Sequence, residues 1–353
     1  MFTPPFCPYR ACSNHSAPRR RFSIRHGTYH PKCRAHSVQR FRCRDCLRTF
    51  SRQTFRMDFR DHRPDLNPRL FEHLASGIGI RQSARMLGLS LRCTELKFRK
   101  IARHLRRLNL NLRKPLRVEA SFHFDELETY EGHRGARPLS VPVLALSESR
   151  YLVWAESAPI RPRGKMTDER RKAITRAEQR HGVRRDLSMR GSLRALRRGA
   201  ELARELELVR LETDEKSTYP RLAEKAFGRG RLLHRRTNSA LVRATWNPLF
   251  AINHEEALMR DLVGRLRRDS WLVSKKRRYL DLGLQLHMAY RNLVRRRFNK
   301  DEASPAQWMG FVPRRLTAQE VLSWRQEAGQ RSVHPLSRRG TSVERWRSPA
   351  SAA

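Results

Sequence analysis

Apolar positions change their spacing along the chain, and each change marks a different kind of element. Residues 41–50 alternate into Cys43-Arg44-Asp45-Cys46 and close with Phe50, the pattern of a strand entering a knuckle. From 69 to 109 the spacing becomes helical. Leu70, Phe71 and Leu74 form a first stripe ended by Ser76-Gly77, and residues 81–87 form a short second helix. Gly88 gives a tight turn, and Ser90 is placed to cap a third helix running to about 105. Beyond Pro115 the alternation is strand-like, with runs at 118–124, 139–146 and 151–155, the last two a hairpin about Ser147-Glu148-Ser149. Residues 166–205 read as helices broken near His181-Gly182. Strands follow at 206–211 and 231–235, with a helix possible over 220–227 between them, and helices from about 254 and over 279–298. After 330, Ser, Arg, Pro and Gly dominate and no apolar period persists, so 330–353 reads as a disordered tail.

This pattern predicts five segments: a small cysteine-bearing module at 1–55, a three-helix unit at 65–110, an α/β domain at 116–300 with a helical insertion at 166–205, a helical segment at 301–329, and the tail. Residues 108–115 are expected to link the helical unit to the α/β domain. Three strands, helices, two strands and two helices is an order that suits a ribonuclease-H-like α/β domain.

Charge changes the picture more than length does. The 353 residues carry 76 Lys plus Arg against 34 Asp plus Glu, a formal net charge of +42, and Arg outnumbers Lys by 65 to 11. Such an excess strains a compact fold by self-repulsion unless a polyanion offsets it, and nucleic acid is the obvious one. The 15 Phe, 7 Tyr and 6 Trp argue against a wholly disordered chain. No apolar run is long enough to span a bilayer, and Met1-Phe2-Thr3-Pro4-Pro5 lacks the start of a secretory signal, so an intracellular, cytoplasmic protein with reduced thiols is expected.

Reduced thiols need another use. Cys7 with Cys12, and Cys43 with Cys46, are two pairs that suit tetrahedral zinc, with Cys33 a substitute for Cys12 that His30 and His36 flank. A module this small and basic needs the metal for its folding energy, so the zinc is expected to be structural. Helix, helix, glycine turn and basic helix are the parts of a helix-turn-helix whose last helix enters the major groove of DNA. Arg92, Lys97, Arg99, Lys100 and Arg103 are then expected as phosphate contacts.

Two acids stand where strands are expected to end, Asp125 and Asp214. On neighbouring parallel strands their carboxylates would lie side by side and need a cation between them, and hard oxygen ligands select Mg²⁺ or Mn²⁺. Two such ions can clamp the attacking and leaving oxygens of a phosphodiester.

With these features in place, the chain resembles the DDE transposases of bacterial insertion sequences. The likeness runs to about residue 329 and is carried by Cys43-Arg44-Asp45-Cys46 with Phe50, the helix-turn-helix, Phe124-Asp125-Glu126-Leu127, and Thr213-Asp214-Glu215-Lys216-Ser217-Thr218-Tyr219-Pro220. It continues through Arg265-Leu266-Arg267-Arg268 with Ser274-Lys275, and Ser304-Pro305-Ala306-Gln307-Trp308-Met309-Gly310. The resemblance implies that Asp125 and Asp214 are the first two members of a catalytic metal triad. It usually places Glu third, on a helix about seven residues before a basic residue. Counting back from Arg260 gives Asn253, 39 residues after Asp214, and Glu256 competes because it shares that helical face. The resemblance further implies strand cleavage and transfer at terminal inverted repeats and target DNA, by a homodimer or higher oligomer at the bacterial nucleoid. Lys275 and Lys276, and Arg291 on the following helix, are expected to bind backbone. The rivals are a catalytically inactive DNA-binding protein, either a repressor or a transposase remnant, and a binder of structured RNA.

Overall fold

In the computed structural model, which describes residues 2–324 other than 34, 113–114, 117–120, 243 and 268–269, the chain opens with a short helix α1 (Ser13–Ser16). An antiparallel sheet follows, β1 (Ser23–Tyr29), β2 (Val38–Cys43) and β3 (Thr49–Ser51), in the order β1-β2-β3. Phe22, Phe41, Phe50 and Phe55 pack with Cys7, Cys12 and Cys43 into a core separate from that of the rest of the chain. So few apolar residues are a marginal core, and a staple is called for.

Next come α2 (Asn67–Ala75), α3 (Ile80–Met86) and α4 (Leu91–Asn111). Gly77 and Gly88 take φ of +78° and +61° at the two turns, a region that only glycine enters freely. Ser90 caps α4 as the sequence predicts, its Oγ accepting from the Cys93 N–H at 3.2 Å.

The remaining strands are β4 (Ser121–Tyr130), β5 (Pro138–Leu146), β6 (Leu152–Ala155), β7 (Ala158–Pro159), β8 (Val209–Asp214) and β9 (Leu232–Thr237). They form one mixed sheet in the order β6-β5-β4-β8-β9, with β7 pairing β5. β4, β5 and β6 are antiparallel in succession, whereas β8 runs parallel to β4 and β9 parallel to β8. Its helices are α5 (Asp168–His181), α6 (Ser188–Leu202), α7 (Tyr219–Phe227), α8 (Phe250–Leu262) and α9 (Arg277–Leu293), followed by α10 (Pro305–Trp308) and α11 (Ala318–Ser323). The result is a mixed α/β fold.

Alternation along β4 divides the two faces. Phe122 and Phe124 turn toward α6 and α7, where their rings meet Phe227 at 5.7 Å and Tyr219 at 5.0 Å. α8 packs on β4 and β5, and α9 on β6. There Asn292 completes the edge of β6, its side-chain amide accepting from Leu152 N–H at 2.8 Å and donating to Leu152 O at 2.9 Å.

Several expected boundaries shift. The helical stretch 166–205 is not one insertion: α5 buries no residue, whereas α6 packs on β5 and β6 and brings Gly199 against Phe122 and Leu144. The expected linker at 108–115 is structural over its described start: Leu108 lies in α4 with no exposure, and Leu112 is buried as well. α4 packs along α9, Asn109 Nδ2 donating to Gln285 O at 2.9 Å, so the three helices share one core with the sheet. The helix expected from about 254 begins at Phe250, because Asn247 Oδ1 accepts the Leu249 N–H at 2.8 Å and starts the turn earlier. α9 stops at Leu293, short of the expected 298. The expected strand start at 118–120 and the tail at 330–353 lie outside the described residues.

Candidate functional site

The four cysteines of the amino-terminal module converge. Cys7 and Cys12 come from the turns around α1, Cys43 ends β2, and Cys46 follows in the knuckle before β3. Their Sγ atoms all lie within 4.8 Å of one another, with Cys7–Cys46 at 3.6 Å and Cys12–Cys43 at 3.7 Å. A tetrahedral zinc site with bonds of about 2.3 Å has sulfur–sulfur edges of about 3.8 Å, so the four thiols fit that ion. Cys33 is outside the cluster, as are His30 and His36. Burial pushes the Cys7 thiol up, as it does Cys46; Cys12 is lowered, because the Asn14 N–H and neighbouring thiols outweigh its burial. Asn14, which the sequence reading did not single out, is fully buried. It points Nδ2 at Cys12 and Cys43 Sγ, each at 3.9 Å, and donates to Asp45 Oδ2 at 2.6 Å. Such partners orient thiolate ligands. The four cysteines could hold a structural zinc.

The carboxylates of the sheet are arranged by strand register. β4 and β8 pair through Ser121–Arg210, Phe122–Leu211 and His123–Glu212. Asp125 and Asp214 each stand two residues beyond the last of these pairs, at one height on one face. Asp214 is the final residue of β8, as expected. Asp125 does not end its strand: it pairs with Val143 of β5, and β4 runs on to Tyr130. What ends near it is the pairing between β4 and β8. Asp214 Oδ1 accepts the Lys216 N–H at 3.1 Å, and Asp125 Oδ1 the Glu126 N–H at 2.6 Å.

On the face of the sheet that bears Phe124, Tyr219 is 1% exposed. Burial raises its phenol, and the charges of Glu126, Asp125, Asp214 and Glu256 raise it further. Glu126 lies on the α6 side. It accepts from Ser192 Oγ, from Ser140 Oγ at 3.0 Å and from Lys216 Nζ at 2.7 Å. Glu256 and Asn253 are both half-buried on α8, three residues apart on one face. Glu255 between them turns inward. With Arg291 it forms a fully buried bidentate pair, at 2.8 and 2.6 Å. Burial pushes the Glu255 carboxyl up, but the Arg291 guanidinium outweighs it and holds the acid at about 2.

Among the described residues, no other set of three or more His, Cys, Asp or Glu side chains converges as the four cysteines do. His123 and Glu212, which no sequence motif marks, lie in register directly beneath the aspartate pair. Burial lowers His123 to about 4 and raises Glu212.

The expected basic contacts divide sharply. Arg92, Lys275 and Lys276 are exposed. Lys97 is 5% exposed and donates to Arg63 O and Asn67 Oδ1, both at 2.8 Å, so it braces the start of α2 and is no surface contact. Lys100 is half-buried and held by Asp61 Oδ1 and Phe59 O, both at 2.6 Å. Arg291, expected to bind backbone, is buried against Glu255 and also donates to Arg296 O at 3.1 Å. His287 is buried nearby, lowered to about 4 by burial, and is a packing residue.

No protein-family model matches the chain, and no curated protein matches it. No helix among the described residues is long and apolar enough to cross a membrane.

Proposed function

We propose that the chain is a metal-dependent DNA strand-transferase, a transposase of the DDE kind built on a ribonuclease-H-like domain. The observation that carries this reading is the shared register of Asp125 and Asp214 on neighbouring parallel strands. A central β4, an antiparallel β5 on one side and parallel β8 and β9 on the other is the arrangement expected of a ribonuclease-H-like sheet. The four-cysteine module and the turn at Gly88 between α3 and α4 add what a DNA-recognising front end needs, a zinc ribbon and a helix-turn-helix.

Gathered carboxylates repel one another and favour a hard divalent cation. Asp125 and Asp214, with Glu256 or Asn253 third, would hold Mg²⁺ or Mn²⁺. When bound, that ion supplies activation of a water or 3′-hydroxyl and stabilises the leaving oxygen of the phosphodiester. The chain's own groups bring the substrate there. Exposed Arg92 reaches the duplex from α4, and Lys275 and Lys276 neutralise backbone ahead of α9. Buried Glu255 and Arg291 fix α8 against α9, and α8 in turn packs on β4 and β5. Two DNA ends require synapsis, hence a homodimer or larger assembly on DNA in the cytoplasm.

One rival draws on a specific observation. The carboxylates converge less than the cysteines do, as in a protein that binds the ends of an element without cutting them. An assay of donor cleavage and strand transfer with Mg²⁺ separates the two: nicked product that requires Asp125 and Asp214 supports the enzyme, whereas binding without product supports the rival.

A further inference from the structure

A cleft of about 270 Å³ lies between α4 and the start of α9. Arg99, Arg103 and Arg106 line it from α4, at a spacing that puts them on one stripe opposite buried Ile101, Leu105 and Leu108. From α9 come Arg278 and Tyr279. The Tyr279 ring gathers guanidinium groups, with Arg278 at 5.0 Å, Arg265 at 5.6 Å and Arg99 at 6.0 Å from its centroid. Each is drawn to the ring face, but three like charges around one ring repel one another.

The acids of the cleft do not relieve that repulsion. Glu156 has both oxygens engaged, one by Arg106 at 3.1 Å and one by Arg194 at 2.8 Å. Asp281 turns Oδ1 to Ser157, accepting from its N–H at 2.8 Å and its hydroxyl at 2.5 Å. Among the described residues, no acid pairs with Arg103 or Arg278. The nearest carboxylate to Arg99, that of Glu95, is 3.9 Å away. Arg99 Nε is buried with no hydrogen-bond partner among the described residues. Arg278 Nη2 donates to the Tyr279 hydroxyl at 3.4 Å, yet converging guanidinium charge with a donor left open at Arg99 is the chemistry of a site for a tetrahedral oxyanion.

We propose that this cleft seats the phosphodiester backbone of duplex DNA, gripping it between the candidate reading helix and α9. The inference rests on the DNA-acting reading and gives it a place of contact. A polymer is favoured over free phosphate by length: Arg92, Arg99, Arg103 and Arg106 recur along one side of α4 over about 21 Å. Duplex DNA carries a phosphate on each strand every ~3.4 Å of its axis, so the row spans several of them. Exposed Lys275 and Lys276 immediately precede α9 and add positive charge at its start.

The test measures binding of the full chain to a fluorescein-labelled 30-base-pair duplex by anisotropy, at several NaCl concentrations. The double variant Arg103→Gln/Arg278→Gln is compared with the native chain. Both positions are exposed, and unchanged thermal melting checks the fold. Each lost phosphate contact removes about 0.9 from the slope of log affinity against log salt, so the double variant should lose about 2 in slope and roughly ten-fold in affinity. The single variant Arg103→Gln should lose about half the slope change. Unchanged slope and affinity in both would overturn the cleft assignment. So would a cleft that serves free phosphate, seen as inorganic phosphate raising the melting temperature of the native chain alone while duplex binding stays equal. Loss of binding to a structured RNA, with duplex binding intact, would overturn it as well. A native chain that fails to bind any duplex at low salt defeats the DNA-acting reading itself, which is distinguishable from intact binding that ignores the cleft.

Discussion

Asp125 of β4 and Asp214 of β8 stand in the same parallel register, each two residues past the last paired position of their strands. In the proposed reading the two carboxylates share a cation and repel each other without it. In metal-free buffer, Asp125→Asn and Asp214→Asn should therefore each melt above the native chain. Mg²⁺ at ten times its dissociation constant should add about 1.4 kcal/mol to the native chain and nothing to either variant. Differential scanning fluorimetry with a Mg²⁺ titration checks both signs.

The third ligand is decided on α8. Glu256 brings a full carboxylate charge and Asn253, three residues earlier on the same face, only a neutral amide. Glu256→Gln should abolish the Mg²⁺ stabilisation while Asn253→Ala retains it. The reverse outcome in the same titration transfers the role to Asn253.

Glu255 and Arg291 are both without exposure and joined by two hydrogen bonds. Arg291→Ala leaves a buried carboxylate alone and should cost about 3–5 kcal/mol, whereas Glu255→Met/Arg291→Met should cost far less. The sign of the pH effect follows from the carboxyl being depressed from its ordinary 4.5 to about 2. Stability from the pair is fully present above pH 4.5 and is lost as pH falls toward 2. Urea unfolding across that range should show the native chain losing its advantage over the double methionine variant, and an advantage that persists at pH 2 contradicts the assignment.

Much of this was legible in the chain, for physical reasons that differ by element. Ser90, Gly88 and the cysteine spacing act locally, so the cap, the turn and the four-thiol cluster can be read from neighbours in sequence. The near-continuous apolar runs of β5 and β6 are legible because strands buried on both faces must be apolar. Lys97 and Arg291 were not legible. In so arginine-rich a chain, nothing local distinguishes a basic residue facing solvent from one whose acceptor lies 30 or 36 positions away. The packing of α4 along α9 was hidden for the same reason: Leu108 and Leu112 look like the end of a helix and a linker until a distant partner covers them.

The aromatic and cysteine core of the amino-terminal module is separate from the main core, so the two should respond differently to metal removal. One zinc per chain is expected by elemental analysis, with a marked loss on Cys43→Ser. A strong chelator should abolish amide-exchange protection in β1–β3 and leave it intact in β4, β5 and β8. Equal loss in both sheets would contradict a self-contained zinc module.

Metal-dependent DNA cleavage through Asp125 and Asp214, as proposed, is tested on plasmid DNA. The purified full chain is incubated with a supercoiled plasmid carrying the DNA that flanks its own coding sequence, with and without Mg²⁺ or Mn²⁺, and the ends are mapped. Metal-dependent nicks are expected at the boundary of the element and should vanish in Asp125→Asn and Asp214→Asn. Cleavage that persists in either variant, or a chain that binds the boundary and never cuts it, rules out the aspartate metal site.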